Sequence, residues 1–171
     1  MIYLVGINHS FQVRTKERVS LEQSISLCQN FETACRFEKY LQKLVDQITP
    51  EAICEEYNEE CLFVYGNGAY SIAKNVCDNH KIQHIFCDPN RQERDELYVA
   101  NGTTEDEDEK NCFPIRENEW LRRINISLPP DASMLFICGA IHISTFKKRL
   151  INTNALTVEV ICRDFELDYP Y

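Results

Sequence analysis

The sequence predicts a single-domain α/β fold, a mostly parallel central sheet of about five strands with helices on both faces. Three observations lead there. Short apolar runs without polar alternation recur along the chain, as in strands buried on both faces. Segments with apolar residues at helical spacing separate them. Gly, Pro, Asn or Asp stands at most junctions. With 171 residues, one domain can bury a substantial core. Right-handed crossovers then bring the carboxyl ends of the strands to one edge of the sheet.

In chain order, Ile2-Tyr3-Leu4-Val5 is the first strand, and Gly6 ends it. Ser10 to Asn30 is polar and long for a loop, with a short helix expected around Leu21 to Leu27. It reads either as a lid over a substrate or as a plain surface excursion. Phe31 to Ile48 is a helix, with Phe37, Leu41, Leu44, Val45 and Ile48 inward, and Thr49-Pro50 ends it. Ala52-Ile53-Cys54 is the second strand and runs into Glu55-Glu56, with Glu59 and Glu60 beyond. Cys61 to Tyr65 is apolar but fits neither period. Ala69 to Asn79 is a helix, and Gln83 to Cys87 is the third strand, ending at Asp88-Pro89. Arg91 and Arg94 follow, with Glu93 and Glu96 as surface partners. The segment 101–111 holds EDEDEK and reads as a solvated acidic loop. Pro114 to Ile126 is a helix with Trp120, Leu121 and Ile124 on one face. Met134 to Cys138 is the fourth strand, and Gly139 ends it because a residue without a Cβ turns freely. A helix runs from His142 to about Ile151, and Ala155 to Cys162 is the last strand. The domain spans 1–162, and 163–171 is a tail without clear structure.

Net charge is −9, which argues against nucleic acid and against an anionic membrane surface as partners. Arg14 to Arg18 is basic but short and carries Glu17. No run approaches the ~20 apolar residues of a membrane span. The chain enters a strand at once, without a signal-like segment, so a cytoplasmic protein is expected. Nine cysteines, an odd number with no C-x-x-C pair, argue against a disulfide framework or a zinc ribbon. Cys54, Cys87, Cys138 and Cys162 read as small buried apolar residues at strand ends, although a reactive thiol near the site is an alternative. Composition leaves the oligomeric state open.

The chemistry-bearing signal is a pair of G-x-x-H devices, Gly6 to His9 and Gly139 to His142, each directly behind an apolar strand. They hold two of the four histidines. His80 and His84 have metal-pair spacing on a helix, but a helix end and a strand start fall between them, so they read as structural. His9, Glu55-Glu56, Asp88 and His142 each follow a strand and therefore converge on one rim. Two imidazoles with a carboxylate can hold a divalent metal and leave room for water, the second Glu acting as base. Without metal, one His acts as general base oriented by a Glu, with the second as acid or oxyanion partner. Arg91 or Arg94, with Arg116, can hold an anion or developing charge. The sequence has no G-x-S-x-G, H-E-x-x-H, P-loop or G-x-G-x-x-G, which argues against the common serine hydrolases, zinc proteases and nucleotide binders.

Two strand-end G-x-x-H motifs with an acidic pair between them resemble the TraB/Tiki superfamily, which takes in Tiki metalloproteases, TraB/PrgY proteins, ChaN lipoproteins and erythromycin esterases. Pro50 to Glu56 is similar to that family's proline, acid, strand and glutamate segment, and on spacing from Pro50 the counterpart of its glutamate is Glu56, with Glu55 second. Asp88 with Arg91 or Arg94 resembles its Asp/Arg element, and Arg116 to Trp120 its arginine-led helix. The resemblance implies an α/β fold with His9, Glu56 and His142 as metal ligands in Tiki-like members, for Mn or Co, or hydrolysis without a required metal in esterase-like ones. Zn is a further candidate on donor type. The chain lacks the family's membrane segments, signal segments and macrolide-embracing helices, so the family's substrates do not carry over. Three readings follow: a hydrolase of a peptide or ester bond, a module binding a small anion or haem without turnover, and a partner-dependent regulatory or defence component with an idle rim. No C-x-x-C-H haem attachment motif is present.

Overall fold

The computed structural model describes residues 1–15, 24–64, 69–104, 109–154 and 157–168. In chain order its elements are β1 (Ile2–Ile7), β2 (Val13–Thr15), α1 (Ser24–Ile48), β3 (Ala52–Glu55), α2 (Glu59–Val64) and β4 (Ala69–Ser71). There follow α3 (Ile72–His80), β5 (Gln83–Phe86), α4 (Arg91–Ala100), α5 (Glu109–Ser127), β6 (Met134–Gly139), α6 (Ile143–Asn154), β7 (Val158–Cys162) and α7 (Phe165–Asp168). The five expected strands form one sheet in the order β5-β3-β6-β1-β7, and every pairing in it is parallel. All five carboxyl ends therefore share one edge.

β6 lies at the centre because each of its six residues is buried, which only a strand covered on both faces requires. Its alternation divides the interior in two. Phe136 and Cys138 join Trp120, Leu121, Ile124, Phe146 and Leu150 from α5 and α6. Leu135 and Ile137 join Phe37, Leu41, Val76 and Phe165 from α1, α3 and α7. The same alternation runs through β3. Cys54 packs towards α5 and α6, and Ile53 towards α1 and α3.

Several expectations are corrected. Gly6 does not end β1, which continues to Ile7. Neither motif glycine has a positive φ, whereas Gly102 does, so neither turn relies on glycine's backbone freedom. Crowding is the reason instead. A Cβ on Gly6 would lie 2.0 Å from the Arg163 carbonyl oxygen, and one on Gly139 would lie 3.0 Å from His9 Nε2. The polar stretch after His9 pairs β2 with β4 in a small antiparallel sheet, and α1 starts at Ser24, seven residues earlier than expected. The segment 10–30, read as either a lid or a plain surface excursion, falls partly on 16–23, outside the described residues. Residues 69–71 are a strand rather than the first turn of a helix. Cys61–Val64 belongs to a helix, with Glu59 and Glu60 in its first turn where acids suit the helix dipole. Of the acidic loop, 105–108 lie outside the described residues, and Glu109 already opens α5. The tail is anchored: Phe165 is buried against Phe37, ring centroids 5.2 Å apart.

Asp88 is not a helix cap. Asn90 caps α4 in a reciprocal box, its side chain accepting from the Glu93 amide while Glu93 accepts from the Asn90 amide. Cys54, Cys87, Cys138 and Cys162 are buried free thiols. Among the described residues, no helix is long and apolar enough to cross a membrane.

Candidate functional site

Each G-x-x-H histidine sits in one turn of 3₁₀-helix behind its strand, at His9–Phe11 after β1 and Ala140–His142 after β6. β1 and β6 are hydrogen-bonded neighbours in register, Gly6 opposite Cys138 and Ile7 opposite Gly139. The two ends of the chain therefore deliver their imidazoles to adjacent strand ends. Glu56 arrives from β3, the other neighbour of β6, where its amide donates to the Ile137 carbonyl.

Glu56 is the centre of the cluster. Its Oε1 lies 3.5 Å from His9 Nε2 and 3.4 Å from His142 Nε2. Arg116 Nη2 donates to the same oxygen at 2.7 Å, and the Gly139 amide donates to Oε2 at 2.8 Å. This explains the crowding at Gly139. Its bare Cα lets the amide reach the carboxylate while the His9 ring passes over it. Burial pushes the Glu56 carboxyl upward, but the His9 contact and the charges of His9, Arg116 and His142 outweigh it and hold it at about 2.

Each imidazole is fixed from behind. His9 Nδ1 meets Gln12 Oε1 at 3.1 Å, and His142 Nδ1 meets Glu117 Oε1 at 3.1 Å. Both therefore present Nε2 to the same carboxylate oxygen. Burial lowers the His9 imidazole, but the Glu56 bond and charge, helped by Gln12, leave it raised above its ordinary value despite the Arg116 charge. The two differ in access: the His9 side chain is 44% exposed and that of His142 is 1% exposed. His142 packs between Phe113 and Trp120, with ring centroids 4.1 and 5.0 Å away. Only His9 is open to an incoming molecule.

Asp88 forms a second layer. Its Oδ1 accepts from Arg116 Nε at 3.1 Å, Arg116 Nη2 at 2.8 Å and the Trp120 indole at 3.0 Å. Its Oδ2 accepts from Arg94 Nη2 at 3.1 Å. Arg116 and Trp120 are one helical turn apart on α5, so one face grips Asp88 while the guanidinium bridges to Glu56. The two carboxylates hold Arg116 well above the ordinary arginine value against its burial.

Of the residues singled out in sequence, His9, Glu56, Asp88, Arg94, Arg116 and His142 form this connected network. Glu55 and Arg91 stand apart from it. Glu55 points to the opposite face, where Ser71 Oγ donates to its Oε1 at 2.5 Å and His84 Nε2 lies 2.8 Å from the same atom. Period-two alternation separates it from Glu56. Arg91 is exposed in the first turn of α4. The left-handed Lys81, with φ of 58°, ends α3 and separates His80 from His84. The Cys138 thiol near Glu56 is fully buried, and burial together with Glu56 and Glu117 pushes it well above its usual value.

Sequence reasoning passed over Gln12 and Glu117, the two groups that orient the imidazoles. Glu117 carried a signal: it stands among Phe113, Trp120 and Ile124 at helical spacing, an acid on an apolar stripe, and it is fully buried. Also overlooked was Lys147-Lys148-Arg149 on α6, a basic triplet in an acidic chain.

No family model, curated protein or solved structure matches the chain.

Proposed function

We propose that the rim is a hydrolytic site for an ester or peptide bond, in which His9 is the general base. The observation that carries this is the shared Glu56 oxygen with one exposed and one buried imidazole. Neutral His9 takes a proton from water as the water attacks a carbonyl held in front of it, and the Glu56 charge stabilises the imidazolium that results. His142, oriented by Glu117, holds Glu56 in place from the buried side. Arg116 supplies fixed positive charge against the negative charge that builds in the transition state. Proton return from His9 to the leaving group completes the cycle. The resemblance to the TraB/Tiki superfamily supports the same assignment of His9, Glu56 and His142, and a soluble, cytoplasmic setting accords with it.

A second reading, with a divalent metal on His9, His142 and Glu56, is favoured by one feature. Both Nε2 atoms face one carboxylate oxygen, and both Nδ1 atoms are held from behind, as metal-ligating imidazoles usually are. By ligand type two imidazoles and a carboxylate would suit Mn, Co or Zn, which would supply Lewis acidity and a more acidic water, although among the described residues no group of three or more such side chains is arranged to hold an ion. The Arg116 guanidinium on the same oxygen opposes a cation there, which is why acid–base hydrolysis comes first.

The test is a panel of p-nitrophenyl esters and fluorogenic peptides, with wild type and His9→Ala, in chelator and then in Mn, Co and Zn. Turnover in chelator that falls about 100-fold or more in His9→Ala supports the first reading. Turnover only with metal, together with metal uptake lost in His9→Ala/His142→Ala, moves the assignment to the second. Equal rates in wild type and His9→Ala under all conditions remove both.

A further inference from the structure

Between α5 and α6, on the far side of His142 from Glu56, lies a cleft of about 650 Å³. That is the size of a small-molecule site. Phe113, Pro114 and Ile141 give it an apolar wall, and Ile141 is 66% exposed, an aliphatic side chain in water beside a concave surface. Its mouth is basic although the chain as a whole carries −9. Of the Lys147-Lys148-Arg149 triplet, Lys148 and Arg149 line the cleft. Arg149 is committed to Glu117 Oε2 at 3.1 Å and to Asn118 Oδ1 at 2.5 Å. Lys148 is exposed, and no carboxylate among the described residues pairs with it. Glu117 lines the inner end and also holds His142, so the cleft and the rim share a wall.

We propose that this cleft binds an amphipathic monoanion, a carboxylate carrying an apolar tail. The tail lies against Phe113, Pro114 and Ile141, and the carboxylate stays at the mouth with Lys148. A neutral apolar molecule leaves the unpaired ammonium unused. A dianion places its second charge against Glu117 at the inner end, and Glu117 is already taken up by His142, Thr145 and Arg149, so a cationic end gains nothing there. Only an anion with its charge at one end satisfies both. The binding does not depend on hydrolysis at the rim, so His9→Ala binds as wild type does.

Octanoate is titrated calorimetrically into wild type, with octanol as its neutral counterpart and the four histidine ring signals followed by NMR. Saturable one-to-one binding is expected, with octanol weaker and the His142 signal moving while that of His80 stays. Lys148→Glu should weaken octanoate about fivefold, as for loss of an exposed ion pair. Ile141→Asp should weaken it about tenfold, both by removing apolar contact and by setting a carboxylate beside the bound anion. Lys147→Glu, one residue outside the lining, should change it little. Lys148 and Ile141 are exposed, so these variants keep the fold, which circular dichroism checks. Absence of saturable binding, octanol equal to octanoate, or unchanged affinity in both Lys148→Glu and Ile141→Asp would overturn the proposal.

Discussion

At the scale of single residues, two glycines and one carboxylate set the geometry of the rim. Gly139→Ala places a methyl group 3.0 Å from His9 Nε2, and the ring can give way into solvent. The expected result is a folded protein whose His9 ring signal, followed by NMR, titrates closer to the ordinary value. Gly6→Ala meets backbone at 2.0 Å, which cannot yield, so a loss of about 2 kcal/mol or more is expected in urea unfolding. The sole tryptophan, Trp120, is buried on Asp88, and its fluorescence reports that unfolding. The sequence singled out both histidines because each stands three residues after a glycine at the end of a short apolar run or one residue inside it. Spacing from Pro50 preferred Glu56 to Glu55 only through the family resemblance, and the residues by themselves do not say which of the two faces the site. That choice depends on which face each residue of β3 takes, and a shift of one residue reverses it.

At the scale of elements, the five parallel strands were legible because each is an apolar run bounded by Gly, Pro, Asp or polar residues. α4 was not, because Tyr98 is its only buried residue and no apolar stripe marks it. Its start is nonetheless encoded in Asn90-x-x-Glu93, and Asn90→Ala should cost about 1 kcal/mol in a denaturant titration. β2 and β4 were missed because three residues each are too few to show a period. The cleft between α5 and α6 was equally hidden. It depends on how two helices pack, whereas the sequence shows only that each has an apolar face.

For the whole molecule, parallel topology turns three distant segments into one site, and strand order decides which meet. The sequence predicts a shared edge but not that β6 lies between β1 and β3, which is what sets Glu56 against both imidazoles. Because that cluster is charged, stability depends on pH. The Glu56 contribution is fully present above about 4.5 and is lost as pH falls towards about 2, up to about 3 kcal/mol in all. The His9 contribution has the opposite sign: it is present below 6.5 and is lost as pH rises through the raised value in the folded state. Urea midpoints measured across pH should fall at both ends, and a flat acid limb would contradict the Glu56 assignment. The most direct test of the central claim, that one buried carboxylate tunes the exposed imidazole into a base, needs no substrate. It is the NMR titration of the His9 ring in wild type and in Glu56→Gln. A titration above 6.5 is expected in wild type, dropping in Glu56→Gln. A wild-type His9 that titrates at or below 6.5, or one indifferent to Glu56→Gln, would contradict it.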